Sequence, residues 1–215
     1  MNLGNAELRE DSYSIAMHSG LATMEGHGLE ASSFEFGVTP FYFLRHGETR
    51  ENEEGIVQGQ NDTRLIAKGR QSAQRAGEAL GGVLLRSIYA SPLERAWQTA
   101  TIVSILTGVP AFPMPGLMER NWGPYQGGPK DLRPAEPDPE AVESHDDFSS
   151  RVLTAMRSIN GPSPVLVVAH SGVFRVLCRH AKLSENPAVS VSSGMAVKFE
   201  PPGAQRRRWH ISVVG

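Results

Sequence analysis

An alternating α/β domain built on a mostly parallel sheet is what this sequence predicts, from three observations. Phe41–Leu44 and Val165–Ala169 are continuous apolar runs, the pattern of strands buried on both faces. Segments of helical spacing alternate with strand-like ones between them, the order that builds parallel sheets. At the end of the chain, Ala196–Glu200 and Trp209–Val214 flank a Pro201-Pro202-Gly203 turn and predict a closing antiparallel pair.

Taken in order, residues 1–37 are rich in Gly, Ser, Glu and His, and predict a mobile N-terminal extension ahead of a domain over 38–215. His18 and His27 lie in it without a cysteine or carboxylate at metal-ligand spacing. Strand Pro40–Arg45 leads through a loop over 52–64 to a helix over Ala67–Leu80, which Gly81-Gly82 ends. Strand Ser87–Ala90 precedes a helix with Ser91 as N-cap and Pro92 at its first position. Leu93, Ala96, Trp97, Ala100 and Val103 give that helix its apolar face. A short strand near 111–114 comes next. Residues 127–143, rich in Pro and Asp, read as an irregular cap. Ser144 and Asp147 then have the spacing of a capping box that opens a further helix.

Composition narrows the function classes. A chain of 215 residues suits one domain, on a prior of about 100 to 200 residues each. Net charge is -2 with 20% charged residues, so no global basic field draws it to nucleic acid or membrane. Arg206-Arg207-Arg208 beside the predicted turn lacks the interleaved aromatics of a nucleic-acid surface. The single cysteine, Cys178, cannot close an internal disulfide and sits in an apolar helical pattern, as a buried inert thiol would. No 18-residue apolar run and no basic-then-apolar leader is present, and the expected compartment is the cytoplasm. Oligomeric state stays open, a homo-oligomer being compatible with the chain.

The chemistry sits where the strands end. Phe41–Leu44 runs directly into Arg45-His46-Gly47-Glu48-Thr49. Open α/β sheets bind ligands at the carboxyl ends of their strands. A guanidinium fork matches phosphate oxygens bidentately. A neutral imidazole can attack an anionic phosphoester without like-charge repulsion. Downstream come Asn52, Gln58-Gly59 and Asp62, then Ser91-Pro92-Leu93, Arg95-Ala96 and Thr99-Ala100. Glu119, Trp122-Gly123 and Gln126-Gly127 follow, and His170-Ser171-Gly172 closes the second apolar run.

This ordered set resembles the histidine phosphatase superfamily, in the branch that also holds the cofactor-dependent phosphoglycerate mutases. The resemblance runs from about Thr39 to Val214. It implies a three-layer α/β/α sandwich with a mostly parallel central sheet, phosphoglycerate mutase-like. The implied enzyme is a phosphoric monoester hydrolase of the histidine acid phosphatase type, acting on small phosphoesters through a phosphohistidine. His46 would be the nucleophile and Glu119 the general acid. Arg45, Arg95 and His170 would hold the phosphoryl group, with His170 cationic. Gly47, Asn52, Gln58, Gly59, Arg120 and Ser171 would contact substrate, the last from a helix N-terminus suited to anions. No cofactor and no metal is expected, since arginines take over the metal's electrostatic task.

Two other functions share these residues. A phosphoglycerate mutase-like phosphotransferase would use Arg120 and Lys130 to hold substrate. However, this chain carries only Asp131-Leu132-Arg133-Pro134 where mutases have a longer insertion with an adjacent arginine pair. Ile56 and Arg64-Leu65-Ile66 also depart from the family's frequent residues. A non-catalytic phospho-ligand module is the other alternative, although such a module has no need of a nucleophile and an acid together.

Overall fold

A computed structural model describes residues 33–134, 138, 140–183, 190–204 and 207–214. Six strands, β1 (Phe41–Arg45), β2 (Ser87–Ala90), β3 (Ala111–Pro113), β4 (Val165–Ala169), β5 (Ala196–Glu200) and β6 (His210–Val213), form one sheet in the order β3-β2-β4-β1-β5-β6. The first four are mutually parallel, and β5 and β6 close the sheet antiparallel. The helices are α1 (Arg50–Glu53), α2 (Ala67–Leu80), α3 (Glu94–Thr107), α4 (His145–Ser158) and α5 (Ser171–His180).

Strand periodicity sorts the core into two sides. Phe41, Phe43, Val165, Val167 and Phe199 face Phe148, Val152 and Met156 of α4 and Val173, Phe174 and Leu177 of α5. Leu44, Ile88, Leu166 and Val168 face Ala76 and Leu80 of α2 and Ala100 and Val103 of α3. Successive residues of a strand point to opposite faces, so this division makes the three layers. Every residue of β4 is buried, as its unbroken apolar run predicts for a central strand. Cys178 is buried in α5, and burial pushes its thiol up to about 12. Among the described residues no helix is long and apolar enough to cross a membrane. Arg207 and Arg208 are exposed, and Arg206 lies outside the described residues.

Three expectations change. The boundary near residue 37 falls too late, because Ser33 bridges to Pro162 and the Phe34 N–H donates to the Gly161 carbonyl at 3.0 Å. The Phe34 ring, 4% exposed, meets Phe41 edge-on at 6.0 Å. Two phenylalanines in a polar stretch carry no periodicity, so only the packed domain reveals their burial. The rest of the expected extension, residues 1–32, lies outside the described residues, as do 135–137 and 139 of the cap. The second change is at α3, which opens at Glu94 with Leu93 as N-cap. Ser91 does not cap it, and Asp62 accepts the Glu94 N–H at 2.6 Å instead. Thirdly, the capping box at α4 is only half formed. The Ser144 hydroxyl accepts the Asp147 N–H, while the Asp147 carboxylate binds that same hydroxyl.

Candidate active site

β1 and β4 run side by side with Arg45 opposite Ala169, so the residues just past their carboxyl ends are brought together. His46 and His170 meet there with ring centroids 5.2 Å apart, and both are buried. The chain leaves β1 by passing close against α2. A Cβ on Gly47 would meet the Gly69 carbonyl, and one on Gly69 would meet the Glu48 backbone. The His46 Nδ1 lies 2.7 Å from the Gly47 carbonyl oxygen. A carbonyl only accepts, so Nδ1 carries the proton and Nε2 keeps its lone pair.

The arginines arrive from two directions. Arg45 at the end of β1 donates through Nη1 to the Val191 carbonyl at 2.9 Å. Arg95, in the first turn of α3, is 1% exposed. Its Nη2 donates to the Gly59 carbonyl at 2.7 Å and its Nη1 to the Asn61 carbonyl at 2.9 Å. In both side chains Nε is buried without a partner, as is His170 Nδ1. The guanidinium N–H groups are always charged and match the oxygens of an anion such as phosphate. His170 Nε2 is 2.8 Å from the Ser91 hydroxyl, which fixes the ring.

Glu119 precedes Arg120 beyond the 3-10 turn at Pro115–Leu117. Its carboxylate accepts the Arg120 N–H and the Gly172 N–H, each at 2.9 Å. The N-terminus of α5 therefore holds this carboxylate, where a phosphoryl group was expected. A Cβ on Gly172 would run into the carboxylate, so the glycine permits the contact.

The expected substrate contacts fare unevenly. The Gly47 N–H is taken by the Thr99 hydroxyl at 3.0 Å, and so supports the turn. Asn52 accepts the Thr49 N–H at 3.2 Å through Oδ1 in a capping box that starts α1. Gln58 accepts from Thr63 at 2.7 Å, and Gly59, at φ +52°, lends its carbonyl to Arg95. Arg120 is buried, gives Nε to the Glu143 carbonyl at 2.7 Å, and sets Nη1 3.0 Å from His145 Nε2. Its guanidinium lies 4.3 Å from the Trp122 ring centre. Ser171 opens α5, half-buried, beside His170. Ser91 and Thr99 are the supporting residues that sequence reasoning passed over. Their motif, Ser91-Pro92-Leu93 with Thr99 eight residues on, was legible, but their partners lie on other strands.

Burial, and then the Arg95 charge, push His46 well below its ordinary value of 6.5, with Arg45 and Lys130 adding to the effect. The Gly47 hydrogen bond opposes this. Burial and then Arg95, His46 and Arg45 push His170 down likewise. His170 is thus neutral on its own, and a dianion beside it would raise its pKa and favour the cation. Burial lowers Arg95 to about 10, against the pull of Glu119 and Asp62. It remains a cation at neutral pH. Among the described residues no group of three or more His, Cys, Asp or Glu could hold a metal ion.

Comparison with known proteins gives this geometry relatives. The profile of the histidine phosphatase superfamily (branch 1) matches residues 41–193. Agropine synthesis reductase of Rhizobium rhizogenes is 36% identical over 151 residues, which is 65% of this chain but 34% of that protein. The chain thus spans only about a third of that relative's length. PhoE, an uncharacterised phosphatase of Bacillus subtilis (strain 168), is 31% identical over 146 residues, covering 65% of this chain and 76% of PhoE. The solved structure of mycobacterial glucosyl-3-phosphoglycerate phosphatase Rv2419c with VO3 superposes with a TM-score of 0.66 at 28% identity, covering 81% of this chain and 97% of that one.

Proposed function

This chain belongs to the histidine phosphatase superfamily, and on that premise we propose that it is a metal-independent phosphomonoesterase acting through a phosphohistidine at His46. The observation that carries this reading is the pair of buried arginines, whose Nε groups make no hydrogen bond within the described residues, converging on His46 and His170, with a His46 tautomer that leaves Nε2 free. In the first step Nε2 forms a bond to phosphorus as the ester P–O bond breaks, and Glu119 gives a proton to the departing alcohol. In the second, water attacks the phosphohistidine, Glu119 takes up the water's proton, and inorganic phosphate leaves. Arg45 and Arg95 neutralise the equatorial oxygens in a site that excludes water, where fixed charges act most strongly. Ser91 holds His170 in place.

We place this activity in the cytoplasm, on small phosphorylated substrates, consistent with one buried cysteine and the absence of a global basic field. The phosphotransferase alternative is weakened by Arg120, whose Nε and Nη1 are engaged with Glu143 and His145. The binding-module alternative leaves the locked tautomer and the adjacent carboxylate without a task. A panel of phosphomonoesters assayed in EDTA, with 3-phosphoglycerate plus 2,3-bisphosphoglycerate included, tests the reading. Phosphate release without added metal is expected; a loss of activity restored by Mg²⁺, or transfer only between phosphoglycerates, would overturn it.

A further inference from the structure

Gln126 has no task in the proposed chemistry, yet its half-buried side chain bridges two loops that do. Its Oε1 accepts the Gln60 N–H at 2.8 Å and the Trp122 N–H at 3.2 Å, and its Nε2 donates to Asn61 Oδ1 at 3.2 Å. Two peptide donors meeting one atom identify that atom as the oxygen, so the orientation of the amide is fixed. The side chain reaches this place because residue 59 is glycine; a Cβ there would run into the Gln126 amide. Backbone pairing stitches the following residues to the same loop. The Gly127 N–H donates to the Val57 carbonyl and the Val57 N–H to the Gly128 carbonyl, each at 2.8 Å.

Each of the two loops holds a group that the reaction needs. Gly59 and Asn61 give their carbonyls to Arg95, and Gln126 binds the residues between and at the end of that grip, Gln60 and Asn61. Trp122 lies three residues past Glu119, and Gln60 Nε2 donates to the Glu119 carbonyl at 3.0 Å. Arg151 reaches that carbonyl as well, at 3.4 Å, so the acid has a second support. Removing the Gln126 oxygen would leave two peptide N–H groups to water, which fixes no spacing between the loops. A misplacement of about 1 Å at reacting groups can cost about 10²-fold in rate.

We infer that Gln126 is a positioning residue, whose single amide sets the spacing between the Arg95 clamp and the Glu119 acid. The inference rests on the phosphomonoesterase reading, which supplies the tasks of those two groups. Gln126 acts on them only through Gln60, Asn61 and Trp122.

Two variants test it. Gln126→Met fills a similar space without either polar atom, and Gln126→Glu keeps an acceptor for both peptide N–H groups. Single-turnover rates, with enzyme in excess and EDTA present, are compared for glycerol 3-phosphate and p-nitrophenyl phosphate. The first needs a proton for its leaving group and the second does not. Gln126→Met should slow glycerol 3-phosphate by roughly tenfold or more, and p-nitrophenyl phosphate by several-fold at most, since only the Arg95 arm acts on it. Gln126→Glu should recover most of the glycerol 3-phosphate rate. Unchanged rates in Gln126→Met, equal losses for the two esters, or no recovery in Gln126→Glu would overturn the inference. Binding of inorganic phosphate reads the Arg95 arm without turnover. Binding weakened several-fold in Gln126→Met and restored in Gln126→Glu, with no hydrolysis by the wild type, would keep the positioning role and reject the phosphatase. Hydrolysis by the wild type with unchanged rates in Gln126→Met would do the opposite.

Discussion

Glu119 accepts two peptide N–H groups and lines a cavity with Trp122, His145 and Arg175, so its task can be separated from that of His46. If it protonates the departing oxygen, Glu119→Gln should slow esters of ordinary alcohols by roughly 10² to 10⁴ in a single turnover. p-Nitrophenyl phosphate should lose far less, because nitrophenolate leaves without a proton. Equal losses for both esters would reduce Glu119 to a positioning residue. Much of this was readable from residue types, since Arg-His at one strand end and His-Ser-Gly at another name an anion and a nucleophile together. The fate of Arg120 was not. Its partners, Glu143 and His145, are 23 and 25 positions away and reach it only because the cap folds back. The capping role of Asn52 was not legible for the opposite reason. Its partner, Thr49, is three residues away, and a four-residue helix leaves no periodic trace.

Arg95 acts from the first turn of α3, and what fixes that turn is remote. Asp62, in the loop that also supplies the Gly59 and Asn61 carbonyls, accepts the Glu94 N–H. One loop therefore caps the helix and grips the Arg95 guanidinium. Asp62→Ala should cost about 1 kcal/mol of stability, the usual worth of an N-cap, read as a lower denaturant midpoint. It should also lower turnover, as Arg95 loses its frame; Asp62→Asn should retain most of both. An unchanged midpoint in Asp62→Ala would remove the cap from the account. Helix spans such as Ala67–Leu80 were legible because periodicity and terminal glycines are local. The cap of α3 was not, because Ser91-Pro92 offers a sound local N-terminus that the structure uses to hold His170 instead.

At the scale of the whole molecule, the site makes folding sensitive to acid. The folded-state values of His46 and His170 are depressed, so below about 6.5 the unfolded chain binds protons that the folded chain refuses. Stability should fall as pH drops through that value, and keep falling until the folded histidines themselves take up protons. Each pKa unit of separation is worth about 1.4 kcal/mol per histidine. His145 and His180 are lowered too, chiefly by burial, and add in the same direction. Urea midpoints taken from about pH 8 to about pH 5 check this, and a flat profile across that range would contradict it. A phosphate analogue should lessen the drop by favouring protonated His170. The interior place of β4 in a mostly parallel sheet and the closing antiparallel pair followed from continuous apolar runs and a Pro-Pro-Gly turn. The packing of Phe34 and Phe36 did not, because they meet Phe41 and α5 only in the folded domain.

The central claim is that His46 Nε2 carries the phosphoryl group between ester and water. Rapid acid-free quench of the wild-type chain with a ³²P-labelled phosphoester in EDTA, followed by mapping of the label, tests it most directly. The label should be stable to base, labile to acid, confined to His46, absent from His46→Ala, and discharged to water at the rate of turnover. A label that survives acid, sits on another residue, or persists in His46→Ala would contradict the mechanism at its root.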